Sequence, residues 1–154
     1  MNPSFNIQAQ GIYTGSAQLF VEAGPLGISF VIMNTGKFFQ AVVIYSFPEQ
    51  MSETQLKEIL QNNELLQHQY LKTHIFWTWP ESILMPPELV NEESNAEMLN
   101  LVYGDEKKSV IKNDFLYQHN LHNVYRIPEV IRNCVEAKFP YVRKNALPAV
   151  SRRC

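Results

Sequence analysis

Three runs of alternating apolar residues, separated by glycine-containing turns, constrain the fold of this chain more than any other feature. The runs occupy residues 16–22, 28–33 and 38–47 and are rich in β-branched and aromatic residues. The first turn holds two glycines and a proline, and the second is residues 34–37 (NTGK), which tolerate positive φ. The pattern predicts a three-stranded antiparallel meander.

A helix and a fourth strand are predicted to follow the meander. Ser52 and Gln55 form the S-x-x-Q pattern of a capping box, and apolar residues then recur at helical spacing as far as Leu66. Residues 73–79 (THIFWTW) are aromatic, short and stopped by Pro80, which predicts a strand. Because a helix joins this strand to the meander, a right-handed crossover can place it parallel to a meander strand.

The remainder of the sequence is less regular. Residues 91–102 can form a helix closed by Gly104, and residues 109–118 and 123–127 can form a hairpin. A last helix is predicted from Pro128 to Phe139.

Length and composition indicate a single domain. The chain has 154 residues, of which 45% are hydrophobic and 12% aromatic, enough to build a core. We assign residues 1–15 to an N-terminal lead-in, residues 16–140 to one domain and residues 141–154 to a basic tail.

Charge and cysteine content limit the partners and the cellular compartment that we expect for this protein. The net charge of -2 argues against a nucleic-acid partner. Two cysteines, Cys134 and Cys154, are too few for a disulfide scaffold and favour a reducing compartment. The N-terminus lacks the features of a secretory signal, and no run approaches the roughly 20 apolar residues of a membrane helix. We therefore expect a cytoplasmic protein without membrane insertion.

Residues 22–29 (EAGPLGIS) resemble the first phosphate loop of actin-like ATPases. Three strands, a crossover helix and a fourth strand are also the opening order of the ribonuclease-H-like half of those proteins. Residues 65–70 (LLQHQY), 83–86 (ILMP) and 123–128 (NVYRIP) resemble an uncharacterised bacterial family of this fold. That family is itself similar to the actin-like component of type IV pilus assembly. The resemblance implies a mixed α/β chain that forms the N-terminal half domain of the actin-like fold.

The resemblance implies a phosphate loop for ATP with magnesium, formed by Glu22, Gly24, Gly27 and Ser29. Glycines allow close backbone approach to phosphate, and a carboxylate at position 22 could hold a magnesium-bound water. However, the superfamily has Asp at that position, Pro25 removes a backbone donor, and the loop has no lysine. We therefore favour a plain hairpin turn. The second half of the ATPase fold should begin where this chain ends, so a complete ATP site is not expected within it.

Two further sets of side chains are candidates for function. Trp77 and Trp79 share one side of the fourth predicted strand, either in the core or, alternatively, as an exposed pair that binds a partner. His119 and His122, with Asp114, could form a metal or acid–base cluster, although polar loop histidines are favoured.

No combination of nucleophile, base and orienting group emerges from the sequence. We therefore expect a noncatalytic domain that acts through a protein partner or as a homo-oligomer, in an assembly or scaffold role. The alternative is a nucleotide-binding actin-like ATPase component that functions only as a longer chain or a dimer.

Overall fold

The computed structural model describes residues 1–12 and 14–140, which combine two β-sheets with three α-helices. The strands are β1 (Phe5–Gln8), β2 (Gln18–Gly24), β3 (Gly27–Met33), β4 (Phe39–Ser46), β5 (Lys72–Trp77), β6 (Ser82–Met85), β7 (Ser109–Leu116) and β8 (Leu121–Pro128). The helices are α1 (Glu53–Asn62), α2 (Glu92–Tyr103) and α3 (Glu129–Lys138). The predicted basic tail lies outside the described residues.

The first sheet has five strands in the order β1-β4-β3-β2-β5. Strands β2, β3 and β4 form the predicted antiparallel meander, and β5 runs parallel to β2, as the crossover through α1 suggested. Strand β5 ends at Trp77, two residues earlier than predicted. The lead-in also contributes, because β1 pairs antiparallel with β4.

The main core lies between one face of this sheet and helices α1 and α3. Helix α1 begins at the predicted capping box, in which the Ser52 hydroxyl accepts from the Gln55 N–H and the Gln55 side chain accepts from the Ser52 N–H. Apolar residues from the strands and from both helices form one continuous cluster. Its fully buried members include Leu19, Val21, Phe30, Ile32, Val43, Leu56 and Val135.

The second sheet has the order β6-β8-β7 and packs against α2. The hairpin β7–β8 and the helices α2 and α3 confirm the predicted elements. The two faces of β8 pack in different apolar clusters. Tyr125 and Ile127 belong to the main core, whereas Val124, on the opposite face, packs with Leu99 of α2.

Arg126 holds α2 against the second sheet. Its buried guanidinium forms an ion pair with Glu81 and donates to the Asn100 side chain at 3.0 Å and to the Gly104 carbonyl at 2.8 Å. Gly104, with φ of 84°, ends α2 as predicted. A buried arginine therefore satisfies acceptors at the C-terminal end of this helix, where a positive charge is favourable.

Within the part of the chain that the structure describes, no helix is both long and apolar enough to cross a membrane.

Candidate functional site

The turn between β2 and β3 is a tight hairpin in which Gly24 and Gly27 are paired residues. Its carbonyl groups are engaged by the chain that follows β4. The Pro25 carbonyl accepts from the Met51 N–H at 2.7 Å, and the Leu26 carbonyl accepts from the Phe47 N–H at 2.8 Å. The turn is thus packed into the domain along one side.

Close packing explains both glycines of this turn. A Cβ atom on Gly27 would lie 2.0 Å from the Tyr45 carbonyl oxygen, and one on Gly24 would lie 2.5 Å from Thr78 Oγ1. Real Cβ atoms do not approach other atoms so closely, so position 27, which meets backbone, excludes a side chain, whereas position 24 can take one only if the Thr78 side chain moves. The glycine pattern that suggested a phosphate loop therefore has a structural explanation, and its binding role stays a prediction.

Glu22 and Ser29 lie on the sheet rather than in the turn. They are direct partners across β2 and β3, and Glu22 also neighbours Phe76 of β5. Both side chains are partly buried. They belong to the side of the five-stranded sheet that faces away from α1 and α3, which we call the open face.

The open face carries an apolar row that crosses all five strands. Since residues paired in register share a face, neighbouring side chains follow one another from strand to strand. The row consists of Ile7, Val42, Val31, Phe20 and His74. A second row beside it consists of Phe5, Ile44, Ser29, Glu22 and Phe76. Phe5 and Ile7 at the sheet edge are 45% and 61% exposed, so large apolar groups on this face meet solvent.

Aromatic rings stack at the β5 end of the open face. The centroids of Phe20 and His74 are 4.7 Å apart with planes inclined by 8°, and Phe76 stacks on Phe20 at 6.2 Å. Nε2 of His74 lies 3.0 Å from Oε1 of Gln18. Burial, and then the charge of Lys72, holds the pKa of His74 below its ordinary value of 6.5. The imidazole is therefore neutral at neutral pH and adds to the apolar character of the face.

The two tryptophans lie on the opposite, core side of the sheet. Trp77 and Trp79 are 2% and 7% exposed, and their ring centroids are 6.5 Å apart. The Lys112 ammonium lies over the Trp77 ring at 5.5 Å from its centroid. Both rings therefore lie in the core, as the favoured interpretation predicts, and are not an exposed pair in this structure.

The structure does not bring the candidate histidines and Asp114 together. Asp114 is paired with Asn123, whereas His122 is paired with Phe115, so the two side chains lie on opposite faces of the second sheet. The His122 ring instead contacts the Asn113 side chain at 3.0 Å. Within residues 1–12 and 14–140, no three His, Cys, Asp or Glu side chains are grouped so as to hold a metal ion.

Cys134 of α3 is partly buried, and burial raises the pKa of its thiol. A raised thiol pKa lowers the fraction of thiolate at neutral pH, and the thiolate is the reactive form. Cys134 therefore lacks the electrostatic activation typical of a catalytic cysteine.

The open face was not identified from the sequence, although a signal was present. Strands β3 and β4 carry apolar residues on both sides, as in the run from Ala41 to Tyr45 (AVVIY). Such continuous apolar runs are typical of strands covered on both faces. The same runs therefore also indicate a second apolar face of the sheet.

Comparison with known proteins agrees with this architecture. A crystal structure at 1.85 Å of a protein from Bacteroides thetaiotaomicron VPI-5482, described as having an actin-like ATPase fold and unknown function, matches with a TM-score of 0.72. The match is 17% identical and covers 82% of this chain and 50% of that chain, so this chain spans about half the length of its structural neighbour. The predicted actin-like fold is thereby confirmed.

The comparisons also place the chain in a family. No curated protein matches it significantly. A family model matches residues 8–147, which is most of the sequence. The chain therefore belongs to the family described as protein of unknown function, DUF3822.

Proposed function

We propose that this chain is a noncatalytic domain that acts through protein contacts made by its open face, in an assembly or scaffold role. The observation that supports this most directly is the apolar row from Ile7 to His74, which crosses the whole five-stranded sheet. Helices α1 and α3 pack on the other face, and α2 packs on the second sheet. The three helices therefore leave this row to be covered by another protein surface.

The size of the open face suits such a contact. With strands about 4.8 Å apart and about 3.4 Å of rise per residue, five strands of this length present roughly 400 Å² on one side. This area is comparable with the largest apolar patch of a typical soluble monomer, which is often a functional surface. The charged residues of these strands on this side are Glu22 and Lys72, so little charge must be desolvated when the face is covered.

Self-association offers the most direct test of the proposal. We expect light scattering after size-exclusion chromatography to give a mass above the 17.8 kDa of one chain, rising with protein concentration. Val42→Lys places a charge at the centre of the apolar row and should return the protein to a monomer. Leu89→Lys is the matched control, because it charges an exposed leucine that belongs to neither strand nor α-helix, and it should leave the mass unchanged.

The mass measurement can refute the proposal. A wild-type chain that stays monomeric and highly soluble at every concentration would contradict it, as would a Val42→Lys variant that assembles like the wild type. Circular dichroism and urea unfolding of each variant check that a change in mass does not come from unfolding.

We also propose that the protein acts in the bacterial cytoplasm, an expectation that rests on its cysteine content and on the sequence resemblance. The relation to the actin-like component of type IV pilus assembly stays a prediction.

A further inference from the structure

Helix α2, which packs on the second sheet, carries a second exposed apolar surface. The helix packs on the second sheet through Asn95 and Leu99, which are its buried residues. Met98, Leu101 and Val102 are instead 41%, 79% and 55% exposed. Their i, i+3, i+4 spacing aligns them along the helix as one stripe.

Acidic residues are concentrated in α2 and in the segments directly before and after it, and Glu93 and Glu97 follow one flank of the stripe. Residues 88–106 contain six carboxylates and neither lysine nor arginine, and all six carboxylates are exposed. They are Glu88, Glu92, Glu93, Glu97, Asp105 and Glu106. Exposed apolar residues with an acidic rim are suited to an apolar partner that carries positive charge.

The helix itself explains only part of this negative charge. Glu92 and Glu93 occupy the first turn, where the helix dipole favours them. Glu97 lies four residues after Glu93 and repels it, and Asp105 and Glu106 follow the negative end of the helix. Glu106 accepts from the Lys108 N–H at 3.0 Å, and Arg126 donates to the last carbonyls of the helix, so the uncompensated repulsion lies at Glu93 and Glu97, where a positively charged partner would relieve it.

We propose that this surface, the α2 ridge formed by Glu93, Glu97, Met98, Leu101 and Val102, binds an amphipathic helix of another protein whose apolar stripe is flanked by lysine or arginine. The apolar stripes of the two helices would pack against each other, and the basic flank would face Glu93 and Glu97. The flexible Met98 side chain can adapt to the partner's contour. This contact is independent of the open face and adds a second class of partner.

A synthetic helical peptide of leucine and lysine, labelled with a fluorophore, is the probe for this proposal. Anisotropy titrations should show binding that weakens with salt, and a leucine–glutamate peptide of the same pattern should not bind. The double variants Leu101→Gln/Val102→Gln and Glu93→Gln/Glu97→Gln should each weaken binding by about tenfold. Leu71→Gln and Glu49→Gln remove an exposed leucine and an exposed carboxylate elsewhere, and should bind like the wild type.

Three results would overturn the proposal. Equal binding by Leu101→Gln/Val102→Gln and the wild type would show simple charge attraction without a docking stripe. Equal weakening by the control variants would show that the peptide has no defined site. A ridge variant that alters the mass of the protein in light scattering would assign the ridge to a second copy of the chain. Since the ridge variants leave the open face unchanged, the peptide test can fail while Val42→Lys still abolishes assembly, and the reverse.

Discussion

Replacement of Gly27 by alanine tests whether the glycine turn is structural or serves phosphate. The added Cβ would lie 2.0 Å from the Tyr45 carbonyl oxygen and 3.2 Å from the Ser46 Cα. Both are backbone atoms of β4, so no side-chain rotation can relieve the clash. The turn or the β4 strand must shift by about an ångström, and overpacking of this kind costs about 1–3 kcal/mol.

Backbone conformation adds to the cost at position 27. Gly27 has φ of 157°, a backbone angle that residues with a side chain rarely adopt. The backbone strain of an alanine at this position is of order 1–3 kcal/mol. Together the two effects should destabilise Gly27→Ala by about 3 kcal/mol, which lowers the Tm by roughly 6–12 °C for a domain of this size. Urea unfolding followed by fluorescence of the buried Trp77 and Trp79 measures the loss.

Gly104→Ala is the matched control for this variant. Gly104 also has positive φ, but no atom lies within 4 Å of its hypothetical Cβ, so only backbone strain of order 1–3 kcal/mol is expected, and the loss should be smaller than for Gly27→Ala. Equal stability of the two variants would refute the packing explanation. If the glycine serves phosphate instead, Gly27→Ala would keep its stability and lose any stabilisation by Mg-ATP that the wild type shows.

Three further changes have defined outcomes. Arg126→Met should lower the free energy of unfolding by about 2–3 kcal/mol, because acceptors at the end of α2 lose their donor. Glu81→Gln should lower it by about 1 kcal/mol, because the Glu81 side chain is partly solvated. An Arg126→Met loss below that of Glu81→Gln in urea unfolding would contradict the role of this network. The pKa of His74 is lower in the folded chain than its ordinary 6.5, so the unfolded chain takes up the proton more readily and stability present above pH 6.5 is lost on acidification. His74→Phe should therefore lose less stability between neutral and acidic pH than the wild type, and parallel losses would show that His74 does not contribute. Ser52→Ala should cost about 1 kcal/mol by removing the cap of α1, which thermal unfolding can measure against Ser46→Ala, a change at an exposed serine of β4, as a non-helical control.

Elements with a strong local signal were predictable. The meander, the capped helix α1 and the hairpin β7–β8 each carry several agreeing signals, such as alternation, turn residues and caps. The parallel crossover to β5 followed from the handedness of such connections, once the helix and the strand were recognised.

Short edge elements could not be predicted in this way. Strands β1 and β6 have four residues each, too few for a pattern to show, and form because an existing strand offers backbone partners. The early end of β5 has a similar cause, since its partner β2 ends at Gly24, one residue beyond the pair of Ala23 with Trp77. Tertiary contacts decide these boundaries.

The candidate site was predictable only in part. The sequence located Glu22 and Ser29 in strands and the tryptophans on one side, but not the sheet face that each residue occupies. Arg126 gave no signal because its partners Glu81, Asn100 and Gly104, which lie just before β6, in α2 and just after α2, are distant in sequence. The open face required the register of five strands, since its apolar row joins residues from five separate segments.

The parallel pairing of β5 with β2 has a consequence for the order of folding. The hairpins β2–β3 and β7–β8 join neighbouring segments, whereas the contact between His74 and Gln18 joins residues 56 positions apart. A larger loop must close before β5 can dock, and its entropic cost is recovered only when α1 and the core side chains settle against the sheet. The meander should therefore gain protection from hydrogen exchange before β5 during refolding. Strand β5 would therefore join the five-stranded sheet after the meander has formed.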